Sequence, residues 1–181
     1  MNLYAYVGND PVNKNDPLGL CETGKNGVSA GVCGKDAQAT KLVDAAMKDK
    51  ASQISKVDKQ AIKDGKEIKV NTGSKDVNGN PVKGGSTVGT NSNTEAHVTI
   101  NLSDKVTVKG VNSETKAPET RELTSAEVLE HEVVGHGVDA LNGADRGREG
   151  NERNAMDKED QYRANSGIPF IRTEYQGVIT Q

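Results

Sequence analysis

The chain has 181 residues, of which 33 % are hydrophobic and 3 % aromatic, with 20 glycines and no tryptophan. This length suits one domain with a modest core, and the composition predicts that much of the chain is loop. The formal net charge of -3 offers no basic surface for a phosphate backbone, which disfavours a nucleic-acid partner. No apolar run approaches the roughly 18 residues of a membrane span, so none is expected.

The first segment, "MNLYAYVGNDPVNKNDPLGL", carries Asp-Pro pairs at Asp10 and Asp16 and then Leu18 followed by Gly19. These are turn signals, and on composition alone they are compatible with an N-terminal strand and turn. The segment lacks the basic and apolar regions of a signal peptide, so we expect no signal peptide.

Residues 2–20 resemble the closing motif of the Rhs repeat-associated core, N-L-Y-x-Y-V-G-N-D-P-V-N-x-x-D-P-L-G-L, at nearly every position. The resemblance implies that residues 1–20 are the tail of an Rhs shell and that self-cleavage falls between Leu20 and Cys21. It further implies a secreted C-terminal toxin that a contact-dependent or type VI apparatus delivers into a target cell. The implied partners are the Rhs shell, the secretion apparatus, a cognate immunity protein and a target-cell protein.

The next segment, residues 21–34, reads "CETGKNGVSAGVCG" and is rich in glycine. Its composition predicts a linker, so the toxin domain is expected to span residues 35–181. The segment also holds both cysteines of the chain, Cys21 and Cys33. One disulfide and two free thiols both remain open.

Apolar residues recur at near-helical spacing after the predicted linker. They predict one or two amphipathic helices, with Asp36 as the N-cap and Gly65 as the stop. An alternating run, "KEIKV", predicts a strand, and a region rich in Gly, Ser and Thr follows to about residue 94. The runs His97–Leu102 and Lys105–Val111 then predict a β-hairpin, with the first run suited to an edge strand that aligns an extended substrate.

A further helix is predicted in "ELTSAEVLEHEVVGHGVDALNG", where Thr124 and Glu127 form a capping box and Gly143 marks the exit. Three polar residues, His131, Glu132 and His136, are embedded in this otherwise apolar helix. Buried polar groups need partners, which makes these residues candidates for a site.

The two histidines of this helix are five residues apart, whereas zinc-binding helices usually offer His-Glu-x-x-His. In a regular helix residues five apart diverge by roughly 140° and cannot share an ion. A π-bulge would turn His131 and His136 to the same side, and Gly135 is the small residue that such a distortion favours. The pattern His-Glu-x-x-Gly-His resembles the dipeptidyl peptidase III group of zinc peptidases, in which an irregular helix holds both ligands.

A hydrolytic zinc ion takes three protein ligands and keeps one position for water. The resemblance implies that the third ligand lies in an E-x-x-A-x-x-x-E motif, which here begins at Glu152 and ends at Glu159. The segment "EDQYRANSGIPFIRTEY" also resembles the tail of toxin-type metallopeptidases, although Asp160 replaces the usual Asn.

These resemblances imply a role for each candidate residue. His131, His136 and Glu152 would hold Zn²⁺, and Glu132 would be the general base. Glu159 would orient a ligand imidazole, and Tyr175 or Arg172 would donate a hydrogen bond to an oxyanion. His97 is expected to be a strand residue that could contact substrate or metal.

A second metal set stays open, in which Glu132, His136 and Asp139 lie on one face of an undistorted helix and His131 is the base. Glu130 is expected to be a charged side chain of this helix that is exposed to solvent.

The expected fold is α+β: a compact zincin-like domain with an N-terminal helical region, a small antiparallel sheet, the HExxGH helix and a second ligand helix. The expected function is that of an effector toxin that cleaves a target-cell protein as a zinc-dependent endopeptidase. The alternatives are a metal-dependent nuclease toxin, although the Asn and basic residues of a ββα-metal nuclease are missing, and a toxin that only binds its target.

Overall fold

The computed structural model describes residues 22–23, 29–175 and 178–179, with side chains from residue 29 to residue 174. The predicted Rhs tail, the predicted cut between Leu20 and Cys21, and the pairing of Cys21 therefore lie outside the described residues. The described chain forms an α+β fold, as expected, with four helices, two sheets and a short two-stranded ribbon.

The predicted N-terminal helices are confirmed as α1 (Ala37–Lys48) and α2 (Ile54–Asp64). The Asp36 carboxylate caps α1 by accepting a hydrogen bond from the backbone N–H of Ala39 at 2.9 Å. Helix α2 ends at Gly65, whose φ of 64° is the left-handed conformation that glycine adopts most easily.

The main sheet has five strands in a mixed arrangement. In spatial order they are β1 (Glu22–Thr23), β2 (Ser29–Gly34), β3 (Glu67–Thr72), β5 (Glu95–Ile100) and β4 (Gly85–Gly89). Strands β2, β3 and β5 run parallel, while β1 and β4 pair antiparallel at the two edges. The main sheet is therefore not the small antiparallel sheet that was expected.

The predicted hairpin is wrong, because its two runs lie in different sheets. The second run forms β6 (Thr107–Asn112), which pairs antiparallel with β7 (Pro118–Glu122) and β8 (Phe170–Arg172). Both sides of β5 are already paired, to β3 and to β4. Alternation along a strand shows which side chains are buried, but it does not identify the partner strand.

The predicted linker is wrong at its C-terminal end, since Ser29–Gly34 is strand β2 of the main sheet. A Cβ added to Gly34 would lie 2.4 Å from the backbone nitrogen of Thr40. Glycine at this position therefore permits close packing against α1 rather than chain flexibility. The folded unit includes residues before the expected start at 35.

The edge of the sheet is also not the predicted one, because β5 is internal and β4 is the edge strand. Strand β4 comes from the Gly, Ser and Thr-rich region, where glycines at both ends weaken the β-strand signal. Its register sets Gly85 opposite Ile100 and Thr87 opposite Val98. Because Ile100 and Val98 belong to the core, Gly85 and Thr87 face the helices.

Helix α3 is continuous but irregular. It consists of an α-helical segment Ser125–Leu129, a π-helical segment Glu130–Gly137 and an α-helical segment Val138–Asn142. The predicted capping box is confirmed, with reciprocal hydrogen bonds between Thr124 and Glu127. Apolar residues of α3 such as Leu129 and Val133 pack into one core with the main sheet.

The helix that was expected to carry Glu152 is observed as α4 (Gly147–Asn165), and β8 follows it. The ribbon of β9 (Glu174–Tyr175) and β10 (Val178–Ile179) lies after β8. Of the helices described, none has the length and apolar character needed to cross a bilayer.

Candidate metal centre

The predicted irregularity in α3 is confirmed, because the π-helical segment spans both histidines. Hydrogen bonding from i to i+5 widens the turn, so that residues five apart lie on about the same face. The rings of His131 and His136 lie with their centroids 4.9 Å apart and their planes at 75°. Their unusual spacing thus matches the local geometry of the helix.

Helix α4 brings a carboxylate to the two imidazoles. Glu152 Oε2 lies 3.6 Å from His131 Nε2 and 3.6 Å from His136 Nε2. One ligand atom from each residue falls within 4.8 Å of the others, so His131, His136 and Glu152 form a group that could hold a metal ion.

The ligand distances in this group fit a small cation better than direct hydrogen bonds. A separation of 3.6 Å between donor and acceptor is too long for a hydrogen bond. Two ligands bound about 2.1 Å from a tetrahedral zinc ion stand about 3.4 Å apart. Glu152 Oε2 is buried and has no hydrogen-bond partner among the described residues, as expected of an oxygen that coordinates a metal ion.

Gly135 allows α4 to approach this closely. Its backbone does not adopt a left-handed φ, so the π-helix does not require glycine there on conformational grounds. A Cβ at Gly135, however, would lie 2.5 Å from both Cα and Cβ of Ala155. Gly135 therefore serves mainly the contact between helices, and Ala155 lies one turn after Glu152.

The electrostatics of the group favour bound positive charge. Burial alone lowers the pKa of His131, but the carboxylates of Glu152 and Glu159 raise it to about 9. Burial alone raises the pKa of Glu152, but His131 and His136 lower it to about 2. A site that holds a proton this firmly has the negative potential that also attracts a metal cation.

Glu159 lies behind His131. Its Oε2 is 3.0 Å from His131 Nδ1, the ring nitrogen that faces away from Glu152. Burial alone raises the pKa of Glu159, but His131, Arg172 and Arg163 lower it to about 2. This is the geometry in which a carboxylate fixes the tautomer and orientation of a metal-binding imidazole.

Two buried arginines hold Glu159 in turn. Arg172 Nη1 donates to Glu159 Oε2 at 2.8 Å, and Arg163 Nη1 donates to Glu159 Oε1. Arg163 also donates to Glu127 Oε1 at 3.2 Å and to Asp160 Oδ1. The carboxylate of Asp160, where the resembling motif has Asn, thus contacts the same guanidinium.

Glu132 lies on the open side of the centre, where residues of α3, α4 and β4 line a cleft of about 420 Å³. The cleft is lined on the helix side by Glu132, His136, Asp139, Arg148, Asn151 and Glu152, and on the strand side by Gly85, Ser86, Thr87 and Gly89. Thr87 Oγ1 donates to Glu132 Oε2 at 2.7 Å. A carboxylate beside a candidate metal group and open to a cleft can accept a proton from a bound molecule.

The remaining predicted site residues have other surroundings. Arg172 is 4 % exposed and lies against Glu159, so its predicted donation to an oxyanion is not favoured. His97 is on the internal strand β5, where its Nε2 lies 2.5 Å from Glu95 Oε1, and it does not line the cleft. The side chain of Tyr175 lies outside the described residues.

The alternative metal set is not formed. The Asp139 carboxylate accepts hydrogen bonds from Arg146 and, at 2.9 Å, from Asn154. Within the part of the chain that the structure describes, only the group of His131, His136 and Glu152 has metal-binding geometry.

The expectation for Glu130 is wrong, because its side chain is 1 % exposed rather than solvated. Glu130 Oε2 accepts a long hydrogen bond, 3.4 Å, from the backbone N–H of Gln53. Burial raises its pKa, against hydrogen bonds from Ser52 and Gln53 that lower it. The wider π-helical turn changes the face on which each of its residues lies, and a regular helical period does not predict that change.

Sequence reasoning missed three residues around the centre: Gly85, Thr87 and Arg163. Gly85 and Thr87 lie in a region without a strand signal, and only the pairing of β4 brings them to α3. Arg163 is three residues after Asp160, in the tail motif, and its charge suggested an exposed side chain rather than a buried one.

Comparison of the chain with protein-family models, with curated proteins and with solved structures gave no match.

Proposed function

We propose that this protein is a zinc-dependent endopeptidase with a zincin-like arrangement, acting as the toxin of an Rhs effector on a target-cell protein. The observation that carries the proposal is the convergence of His131, His136 and Glu152 across a π-helical turn, with Glu132 beside them in an open cleft. Three protein ligands of this kind with space for a fourth are typical of catalytic rather than structural zinc sites.

The chemistry follows from the positions of the protein groups. Zinc, when bound, makes water a nucleophile near neutral pH and polarises a peptide carbonyl. Glu132 would accept the proton of the attacking water and pass it to the leaving nitrogen. Glu159 would hold the His131 ring in one tautomer through Nδ1.

The edge strand β4 supports a peptide substrate rather than a small molecule. Among the described strands β4 pairs only with β5, and residues of β4 line the cleft that contains Glu132. An extended peptide can add to such an edge by backbone hydrogen bonds, which brings a carbonyl close to the centre. The glycines at positions 85 and 89 let α3 lie close to β4, since a Cβ at Gly85 would lie 2.5 Å from Glu132 Cγ and one at Gly89 would lie 3.0 Å from Ala140 Cβ.

The route of delivery rests on the N-terminal resemblance. Residues 2–20 resemble the end of an Rhs core, so we propose release after Leu20, delivery by a contact-dependent or type VI apparatus, and a cognate immunity protein in the producing cell. This part of the proposal is independent of the metal chemistry.

The test is Glu132→Gln, assayed for toxicity in a susceptible bacterial host and for zinc content. Glutamine keeps the size of the side chain but cannot accept the proton, so toxicity should be lost while about one equivalent of zinc is retained. The control is Glu122→Gln, a change of the same type at an exposed position on β7, which should be as toxic as the parent.

Full toxicity of Glu132→Gln would contradict the assigned base. Purified protein with less than about half an equivalent of zinc would contradict the metal site and favour a toxin that only binds its target. Incubation with plasmid DNA and with a cell proteome separates the two enzyme classes, because a peptidase should leave the plasmid intact and fragment protein.

A further inference from the structure

The side chain of Glu132 is held by the edge strand as well as by its own helix. Thr87 Oγ1 lies 2.7 Å from Glu132 Oε2 and 3.2 Å from the backbone carbonyl oxygen of Glu132. A hydroxyl has one proton to donate, and the nearer, charged carboxylate oxygen is the stronger acceptor. The hydroxyl therefore binds Oε2 and leaves Oε1 available.

Gly85 forms the wall on the other side of this carboxylate. A Cβ at Gly85 would lie 2.5 Å from Glu132 Cγ and 2.6 Å from Glu132 Oε1. Glu132 is 4 % exposed, so its side chain fills a slot between α3 and β4 that is shaped by Gly85 and Thr87.

Resting on the proposed function, we infer that Thr87 is the positioning residue of the general base: its hydroxyl fixes the Glu132 carboxylate so that Oε1 faces the attacking water. Threonine is suited to this task because β-branching restricts χ1, so the strand backbone sets the direction of the hydroxyl.

The arrangement links substrate alignment to the orientation of the base. The strand that would pair with the peptide backbone is the same strand that holds Glu132. The distance between the scissile carbonyl and the base is therefore set within one strand rather than across two independently moving elements.

The test compares two substitutions in the full chain, Thr87→Val and Thr87→Ser. Valine has nearly the shape of threonine but no hydroxyl, whereas serine keeps the hydroxyl and loses only a methyl group. We expect Thr87→Val to need roughly 100-fold more protein than the parent for growth arrest, because misplacing a reacting group by about 1 Å has an effect of that size. Thr87→Ser should restore most of the toxicity, and both variants should keep the zinc content of the parent.

A crystal structure of each zinc-loaded variant gives a readout that does not depend on activity. The Glu132 carboxylate should leave its slot in Thr87→Val and stay in Thr87→Ser. The inference is overturned if Thr87→Val is as toxic as the parent, if serine fails to rescue, or if Glu132 keeps its conformation in Thr87→Val. Failure of the proposed function is distinguishable, because Glu132→Gln would then be as toxic as the parent whatever Thr87 does.

Discussion

The two histidines of the centre have different surroundings, although they belong to one π-helical turn. The His131 side chain is 5 % exposed, and its Nδ1 faces Glu159, which Arg163 and Arg172 hold from behind. The His136 side chain is 18 % exposed and lines the cleft. The closed side is thus organised before any ligand arrives, while the open side has room for a substrate.

In the proposed enzyme, this difference would separate two tasks. The buried charge network on the His131 side has the partners needed to fix ligand geometry, which governs metal affinity. The His136 side carries the cleft, Glu132 and the edge strand, which would govern substrate binding and proton transfer. Changes on the closed side should therefore alter stability and metal binding together, whereas changes at Glu132 and Thr87 on the open side should alter activity alone.

Glu159→Gln is the substitution expected to disrupt the closed side of the centre most strongly. It leaves two buried guanidinium groups without their shared carboxylate, so the free energy of unfolding should fall by about 3 kcal/mol. Zinc affinity should fall about 10- to 100-fold, because His131 loses the carboxylate at its Nδ1. Urea unfolding and competition with a chelating dye measure the two effects.

Glu149→Gln is the matched control for this change, because Glu149 lies on the same helix and its carboxylate is exposed. Its ion pair with Arg153 is at the surface and should contribute at most about 1 kcal/mol. If Glu159→Gln and Glu149→Gln bound zinc with equal affinity, the closed side of the centre would not govern metal binding as proposed.

A smaller effect is expected from Gly135→Ala, which tests the packing of α4 on α3. The new methyl group would lie 2.5 Å from the Ala155 backbone, so α4 must move away and carry Glu152 with it. We expect a loss of 1–3 kcal/mol in the free energy of unfolding, about the usual effect of overpacking, together with weaker zinc binding.

Gly137→Ala in the same π-helical segment serves as the control for Gly135→Ala. A Cβ at Gly137 would lie 3.2 Å from Ile68 Cδ1 and 3.3 Å from the backbone carbonyl oxygen of Glu132, so it is less crowded than one at Gly135 and does not meet α4. Its zinc affinity should match that of the parent protein. If Gly135→Ala also bound zinc like the parent, close approach of α4 would not be needed to form the centre.

The smallest effect is expected far from the centre, at Asp36. Burial raises the pKa of Asp36, but hydrogen bonds from Ala39 and Thr72 outweigh it, so the pKa lies below its usual value of 3.8. A lowered folded-state pKa contributes stability above the unfolded pKa and loses it as the pH falls through the folded value. Asp36→Ala should thus lower the free energy of unfolding by about 0.5–2 kcal/mol at neutral pH, and the difference should shrink below about pH 4.

Asp44→Ala, at an exposed position on the same helix, is the control for this comparison. Urea unfolding at several pH values measures both variants, and zinc affinity should be unchanged in each. A stability difference between Asp36→Ala and the parent that grows as the pH falls would contradict the assigned role of the Asp36 carboxylate.

The local elements were predictable because their signals lie within a few residues. The caps at Asp36 and Thr124, the stop at Gly65 and the irregular turn between His131 and His136 each depend on near neighbours in the chain. Strand partners were not predictable in the same way. The run beginning at Lys105 alternates as a hairpin strand would, yet its strand belongs to another sheet.

The amino-acid sequence by itself determined the helices and their caps, because hydrogen bonds and side-chain periodicity within one segment decide these features. It also supplied the candidate ligands, through their resemblance to metallopeptidase motifs. Only the tertiary structure decided that β4 is the edge strand, that Thr87 reaches Glu132 and that Glu130 and Arg163 are buried. Those features depend on contacts between distant segments, whose free energies arise from burial and packing that no local pattern contains.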